Sequence, residues 1–537
     1  MNIKHNNICI VGGGSAGWLV ASTLIRYFPK KNITLIESPK IPHINVGEST
    51  TSMMKMFING HLGIDDKDFL PGTDGILKMS VKFNDFYKLG DGGYHYPFGN
   101  PVFKFKGSRY ETWSIKKHYY PETPVQNFAR TFVPQVTLAE MNKYSDNLNN
   151  QFDDFHPNID YGYHFSANKL GQYLRDNYAK PRGVKHIVSE IRNVNVNEDG
   201  VESLVLDDGT VVSYDFYIDC SGFKSLLLGQ ALKEPYVDFK HWLPNDSAWA
   251  TPTEYKDVYK EMRPYTNCTA LENGWAWHTP IWSRVGNGYS YSSQHVSDED
   301  ALDQFKKYLT SKKVPVPLKR DEVENLPFFN VKSKPGYYER NWVKNVFAIG
   351  LAGGFLEPLE GTGLLFVTNP ILELCKHMSR ERFTNFNIDM MNMFMKYQYM
   401  GWRDFLTFFY MMSIRDDSQY WKDINAKNYF VDYLTEESKW MGNYQEFFSA
   451  FQQDETSHKL PNNSGIVYVS KGMNSSFDLD DTVIDRLRHL EGTDFSDVAE
   501  QIKVAQDHDV ERWQIAARKE LHAYDYLKKY IYEKDNK

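Results

Sequence analysis

The chain has 537 residues, 41% of them hydrophobic, 24% charged and 15% aromatic, and carries a formal net charge of −8. That length supports two or more packed layers around a large core. The acidic balance, with no basic stripe, argues against nucleic acid as a partner. Four cysteines, Cys9, Cys220, Cys268 and Cys375, stand apart without a C-x-x-C pair. They read as reduced core residues, not as a metal site or a disulfide framework. The apolar run Val346 to Leu356 is too short to cross a bilayer. Ile8–Val11 is too short for a signal sequence. The expectation is a soluble, cytoplasmic protein with no membrane contact.

In chain order, Ile8-Cys9-Ile10-Val11 reads as a short strand that runs into Gly12-Gly13-Gly14-Ser15-Ala16-Gly17-Trp18 and a helix to about Phe28. Gly12, Gly14 and Gly17 have G-x-G-x-x-G spacing, with Ser15 and Ala16 inside the loop. The first glycine permits the tight turn, the second lets a pyrophosphate approach, and the third lets helix and strand pack. The helix N-terminus then offers free N–H groups to phosphate. About twenty residues on, Asn32–Ile36 reads as the second strand and ends at Glu37, placed for a ribose hydroxyl. Together these predict a dinucleotide site.

A Gly-containing turn carries Glu48 and Ser49, and a helix follows from about Thr51. Gly75–Phe83 alternates as a strand does. Residues 87–125, rich in Gly, Pro and Tyr, read as an excursion covering a site. A hairpin is predicted through Val194, Val196, Val201–Leu206 and Val211, turning at Asp207-Asp208-Gly209-Thr210. The strand that follows ends in Asp219-Cys220-Ser221-Gly222. It resembles the element by which glutathione-reductase-like FAD proteins return to their nucleotide sheet. Val346–Gly354, with Gly350 and Leu351, is similar to their third element, beside the flavin ring. The predicted fold is therefore α/β: a glutathione-reductase-like FAD-binding fold with a Rossmann-type sheet and a β-meander, interleaved over residues 1–390. Residues 391–537 are expected to be mainly helical and to cover the substrate, ending in an exposed helix pair over Asp497–Lys537.

Gly274-Trp275-Ala276-Trp277-His278-Thr279-Pro280 resembles the G-W-x-W-x-I-P signature of the flavin-dependent halogenases, the group that includes the tryptophan halogenases. Gly13–Trp18, Val46-Gly47-Glu48-Ser49, Asp219–Gly222 and Phe355-Leu356-Glu357-Pro358-Leu359-Glu360 match the same family. So do Arg403-Asp404-Phe405 and Arg415-Asp416-Asp417-Ser418, and the likeness fades beyond about Trp421. The resemblance implies FAD, used as FADH2, a halide ion (chloride, bromide or iodide), and a separate flavin reductase, since no second nucleotide loop is present. It implies that hypohalous acid halogenates a small electron-rich aromatic. It assigns the halogen relay to Lys78, assistance to Glu360, the halide to Thr362 and Gly363, and a barrier between flavin and substrate to Trp275, Trp277 and Pro280. Local sequence alone reads Lys78 and Lys82 as surface strand lysines, Thr362-Gly363 as a plain turn and the tryptophans as a core pair. Lys82 and Glu357 keep their structural readings. Self-association into a homo-oligomer stays open.

The chain departs from the family at Thr279 for Ile and at Gly361 for Ser, the latter removing a hydroxyl between Lys78 and Glu360 and loosening their geometry. Before Phe98-Gly99-Asn100 the family's histidine is displaced, with His95 two residues ahead of Pro97. The residues that hold an amino acid's charged end find a weak counterpart near Glu436–Tyr444. These departures predict indoles or phenols in preference to free tryptophan. An aromatic hydroxylase, or a non-catalytic flavin-binding protein, is the alternative reading.

Overall fold

Five segments far apart in sequence lie side by side as one parallel sheet, in the order Val346–Ala348, Phe216–Asp219, Asn7–Val11, Asn32–Glu37 and Lys185–Val188. Trp342–Val343 adds an antiparallel edge. The computed structural model describes residues 2–40, 47–99, 109–153, 155–426, 468–469, 471–473 and 495–533. The central strand is covered on both faces, and Ile8, Cys9 and Ile10 are fully buried, which explains its unbroken apolar run. The helix Ser15–Tyr27 follows directly and buries Leu19, Val20, Ala21 and Leu24. Gly12 has φ of +117°, and a Cβ there would run into the carbonyl of Cys220. A Cβ at Gly17 would meet the carbonyl of Gly12. Both glycines are therefore steric requirements of this crossover.

The expected meander is present as Ile191–Asn197, Gly200–Leu206 and Val211–Val212, an antiparallel three-stranded sheet. A seven-stranded sheet forms the second large layer, in the order Phe329–Lys332, Ser247–Thr253, Val285–Tyr291, Gly274–Pro280, Tyr265–Leu271, Ser80–Asn84 and Gly93–Pro97. Its pairings are antiparallel except that of Ser80–Asn84 with Tyr265–Leu271. The tryptophan-bearing strand thus sits at the centre of this sheet. A small sheet joins Glu48–Ser49, Gly162–Phe165 and Ile76–Lys78.

The helix Asn385–Met411 buries Met391, Met395, Tyr399, Trp402, Leu406 and Phe409, a stripe at helical spacing. Apolar residues on both sides of position 390 share one core, from Ile10 to Trp513. The C-terminal stretch corrects the expectation of an exposed helix pair. The helix Ser496–Lys519 buries Ala499, Ile502, Trp513 and Ala517. Beyond it, Tyr532 stacks on Trp282 at 3.8 Å and 8°, with Tyr524 also stacked on Trp282 at 5.2 Å. The Tyr532 hydroxyl donates to the carbonyl oxygens of Leu70 and Gly75. Charged residues dominate this sequence, but its aromatic residues decide where it docks. Tyr532→Ala is expected to lower the unfolding free energy by roughly 2 kcal/mol, measurable as an earlier urea midpoint with an unchanged slope.

Candidate active site

The nucleotide loop tests whether the residues fit a dinucleotide such as FAD. Gly14 precedes the helix Ser15–Tyr27 without a side-chain cap, and a Cβ on it would meet nothing within 4 Å. Gly222, at φ +69°, faces the same kind of empty space. Phosphate therefore has uncapped N–H groups and room to approach. Glu37 Oε2 lies 2.8 Å from Nε2 of His186 on the neighbouring parallel strand. Gly350 brings the first and third elements together, since a Cβ on it would sit 3.3 Å from that of Ala16. Leu351 beside it is exposed, and Ser15 Oγ donates to the Ala167 carbonyl at 3.0 Å. These features fit the group. Asp219 is occupied by protein partners. It is fully buried and accepts from Ser221 N and Oγ, Leu227 N and Leu228 N. It shapes the turn that ends at Gly222.

Lys78 ends the strand Ile76–Lys78 and is fully buried, as are Ile76 and Met79. The surface reading of this lysine is therefore wrong. Its Nζ donates to Ser49 Oγ and to the Thr50 carbonyl, both at 2.9 Å, and lies 4.9 Å above the Phe98 ring. Burial pulls its pKa down to about 7, against the opposing pull of Cys268, Glu360 and Glu48. Glu360 is equally buried, and neither carboxyl oxygen has a partner among the described residues. Burial raises its pKa well above the usual carboxylate range, with Lys78 pulling the other way. The two feel each other without a direct ion pair. A buried acid left without a protein partner suits a small polar molecule. Tyr94 stands beside Glu360, its buried hydroxyl also unpartnered among the described residues. Glu48, half-buried, has its pKa raised by burial to about 7. Lys82 is half-buried, near Glu140, Arg130 and Arg263.

Gly361 has φ of +74°, and a Cβ there would lie 2.8 Å from Ser49 Oγ. Ser49 fills that space and itself takes the Lys78 hydrogen bond. The next two residues form the turn before the helix Leu365–His377. The amides of Gly361 and Leu365 bond to the carbonyls of Pro358 and Thr362, whereas those of Thr362 and Gly363 find no protein acceptor among the described residues. Two adjacent amides without a protein acceptor at a helix start are donors of the kind an anion uses.

Trp275 and Trp277 lie on one face of their strand, ring centroids 5.8 Å apart. A side chain at 288 would collide with the Trp277 ring, so Gly288 makes its seat. Trp275 Nε1 donates to Glu357 Oε2 at 3.1 Å. Asn245 and Tyr410 donate to the same carboxylate. Glu357 is thus the anchor of the tryptophan pair, and burial lifts its pKa to about 6 despite these donors. Pro280 is buried, and its carbonyl lies 3.0 Å from His164 Nδ1. His95 bonds Ser80 and packs on Tyr265, away from Glu360. Asn100 and Glu436–Tyr444 lie outside the described residues.

The family model for tryptophan halogenase matches residues 7–475. Tryptophan 6-halogenase SttH of Streptomyces toxytricini is 30% identical, over 80% of this chain and 82% of its own. Among solved structures, VirX1 superimposes with a TM-score of 0.89 at 32% identity, covering 99% of each chain. BrvH, a flavin-dependent halogenase from Brevundimonas sp. BAL3, gives 0.79 at 26% identity, covering 98% of this chain and 99% of that one. This chain belongs to the tryptophan halogenase family. It is an enzyme of that FADH2-dependent class. Among its described residues no helix is long and apolar enough to cross a membrane, and no group of three or more His, Cys, Asp or Glu side chains could hold a metal ion.

In this halogenase the residues that sequence reading missed are Tyr94, His164, His186 and Thr266. They carry no motif of their own and reach the site only through strand pairing. Because burial holds the Lys78 amine near 7 in the folded state against 10.5 unfolded, folding bears its full cost below pH 7 and is relieved of it as the pH rises towards 10.5. Lys78→Met is therefore expected to be more stable than wild type by roughly 2 kcal/mol at pH 6. Melting curves across pH should show that advantage shrinking between pH 7 and 10.

Proposed function

We propose that this enzyme halogenates an electron-rich aromatic ring by passing the halogen through the Lys78 amine. The observation carrying this reading is a buried amine and a buried, unpartnered carboxyl close enough to influence each other's charge without an ion pair. On this reading the chain has a glutathione-reductase-like FAD fold, with residues 391–537 covering the substrate, and works in the cytoplasm. FAD would be held by Gly12, Gly14, Ser15, Ala16, Gly17, Glu37, Glu48, Ser49, Gly222, Gly350 and Leu351, with Asp219 shaping the turn. When bound and reduced by a partner reductase, the flavin supplies with O₂ the oxidation of a halide to hypohalous acid. Thr362 and Gly363 present the halide, while Trp275, Trp277 and Pro280 separate flavin from substrate.

Two of the three Nζ positions of Lys78 are taken by Ser49 and Thr50. The third is left for the halogen. The neutral amine attacks the halogen of hypohalous acid, and protonated Glu360 gives its proton to the departing oxygen, which leaves as water. The ring then takes the halogen from nitrogen, and Glu360, now ionised, accepts the ring proton. Amine and acid are both restored. The site needs both groups uncharged at the start, which is the direction in which burial pushes each pKa.

Apart from Glu360, no buried carboxylate or ammonium among the described residues lacks a hydrogen-bond partner and so stands ready for the charged end of an amino acid. Glu360 belongs to the chemistry. Uncharged indoles and phenols therefore fit better than a zwitterion, whose unpaired charges would cost several kcal/mol (about 3–5). Bromide and iodide, easier to oxidise, suit the site better than chloride.

Lys78→Ala is expected to abolish halogenation with FAD affinity kept, and Glu360→Gln to be impaired less completely. Product analysis by mass spectrometry, with reductase, FAD, O₂ and bromide, checks this, and an oxygen-containing product would support the hydroxylase reading. The lone chain is expected to leave NADH unoxidised. Kinetics should favour indole over tryptophan, and efficient chlorination of tryptophan at a single position would reverse the substrate reading.

A further inference from the structure

Ser49 Oγ, besides accepting from Lys78, lies 2.7 Å from Thr266 Oγ1. Thr266 Oγ1 lies 2.8 Å from His164 Nε2, and His164 Nδ1 lies 3.0 Å from the Pro280 carbonyl oxygen. The small sheet dictates this line-up. Its middle strand sets His164 opposite both Ser49 and Ile76, and Gly162 opposite Lys78. Thr266 comes from the seven-stranded sheet, and Pro280 ends the tryptophan strand.

The direction of every bond in this chain is fixed. A carbonyl only accepts, so His164 Nδ1 carries the proton facing Pro280. Burial keeps His164 neutral, which leaves Nε2 as an acceptor. Thr266 must then donate to His164, and Ser49 must donate to Thr266. Ser49 Oγ is left able only to accept from Lys78. Thr50 contributes a second carbonyl, also acceptor-only. We infer that His164, Thr266 and Ser49 form a polarised hydrogen-bond chain that fixes the Lys78 amine, with its remaining position turned to the halogen donor. His164 and Thr266 are positioning residues, since neither touches Lys78. The chain also ties the lysine to the strand of Trp275 and Trp277.

This inference rests on the reading of Lys78 as the halogen-carrying amine. The groups acting on that amine are Glu360, Glu48 and Cys268, with His164 behind the chain. Removing the Thr266 hydroxyl frees the Ser49 proton to turn, so the ammonium loses its dedicated acceptor. A charged form with one acceptor fewer titrates lower. In Thr266→Val the Lys78-dependent limb of the pH–rate profile is expected to fall by about one unit, with the turnover number down roughly ten- to hundred-fold. Aromatic KM and FAD affinity should change little. The Nζ resonance of Lys78, followed through a pH titration of ¹⁵N-lysine-labelled protein without flavin, should move the same way. His164→Gln retains one donor and one acceptor and is expected to keep most of the wild-type rate. His164→Leu is expected to behave as Thr266→Val does. A wild-type rate and profile in Thr266→Val, or equal losses in the two His164 variants, would overturn the chain. Lys78→Met in the same assay separates the two ideas: an inactive Lys78→Met beside an unaffected Thr266→Val refutes only the chain, and an active Lys78→Met refutes the lysine reading beneath it.

Discussion

An amine and a carboxyl are buried within reach of each other's charge yet kept from closing into an ion pair. That arrangement is costly. A direct Lys78–Glu360 bridge would offset part of the desolvation of both groups; here Lys78 spends its hydrogen bonds on Ser49 and Thr50 instead. Burial consequently favours the uncharged form of each. On the proposed reading such a site would offer a nucleophile and an acid near neutral pH, where a solvent-exposed pair would be an ammonium and a carboxylate.

The rest of the fold serves to maintain this tension. The consecutive strands Ile76–Lys78 and Ser80–Asn84 belong to different sheets, so Lys78 lies at the seam between them. From one side the seam receives the turn Glu48–Ser49, and from the other Thr266 and the tryptophan strand. Glu357, three residues before Glu360, is satisfied by three donors and fixes Trp275. Two glutamates on one short segment thus have opposite fates. The paired one is structural, and the unpaired one is left for chemistry. The C-terminal stack on Trp282 reaches the Gly75 carbonyl and so braces the strand leading to Lys78.

Much of this was legible in the sequence, for physical reasons. Gly12 and Gly17 are required by close backbone approaches and Gly14 leaves open space before the helix, so their spacing marks the nucleotide turn. Strands buried on both faces are runs of apolar residues, which made Ile8–Val11 and Val346–Ala348 readable. The half-exposed edge strand Lys185–Val188, carrying Lys185 and His186, has no such run. Lys78 shows the limit most clearly. Its neighbours alternate as on a strand with one wet face, and only the folded structure reveals that both faces are covered. The resemblance to a known family supplied its role in advance of any local signal. The hydroxyl that takes the Lys78 hydrogen bond lies 312 positions before Gly361, at Ser49, and only the fold brings the two together. The docking of residues 496–532 was hidden by a charged composition that conceals a few well-placed aromatics.

Glu360 is expected to hold a proton at neutral pH although a lysine stands nearby. Infrared difference spectra between wild type and Glu360→Gln, recorded at pH 7 on the resting protein, test it directly. The account expects a protonated-carboxyl C=O stretch in wild type that is lost in the variant and persists in Thr266→Val. A difference spectrum showing only carboxylate bands would mean that Glu360 is ionised beside a charged Lys78, and would contradict the account.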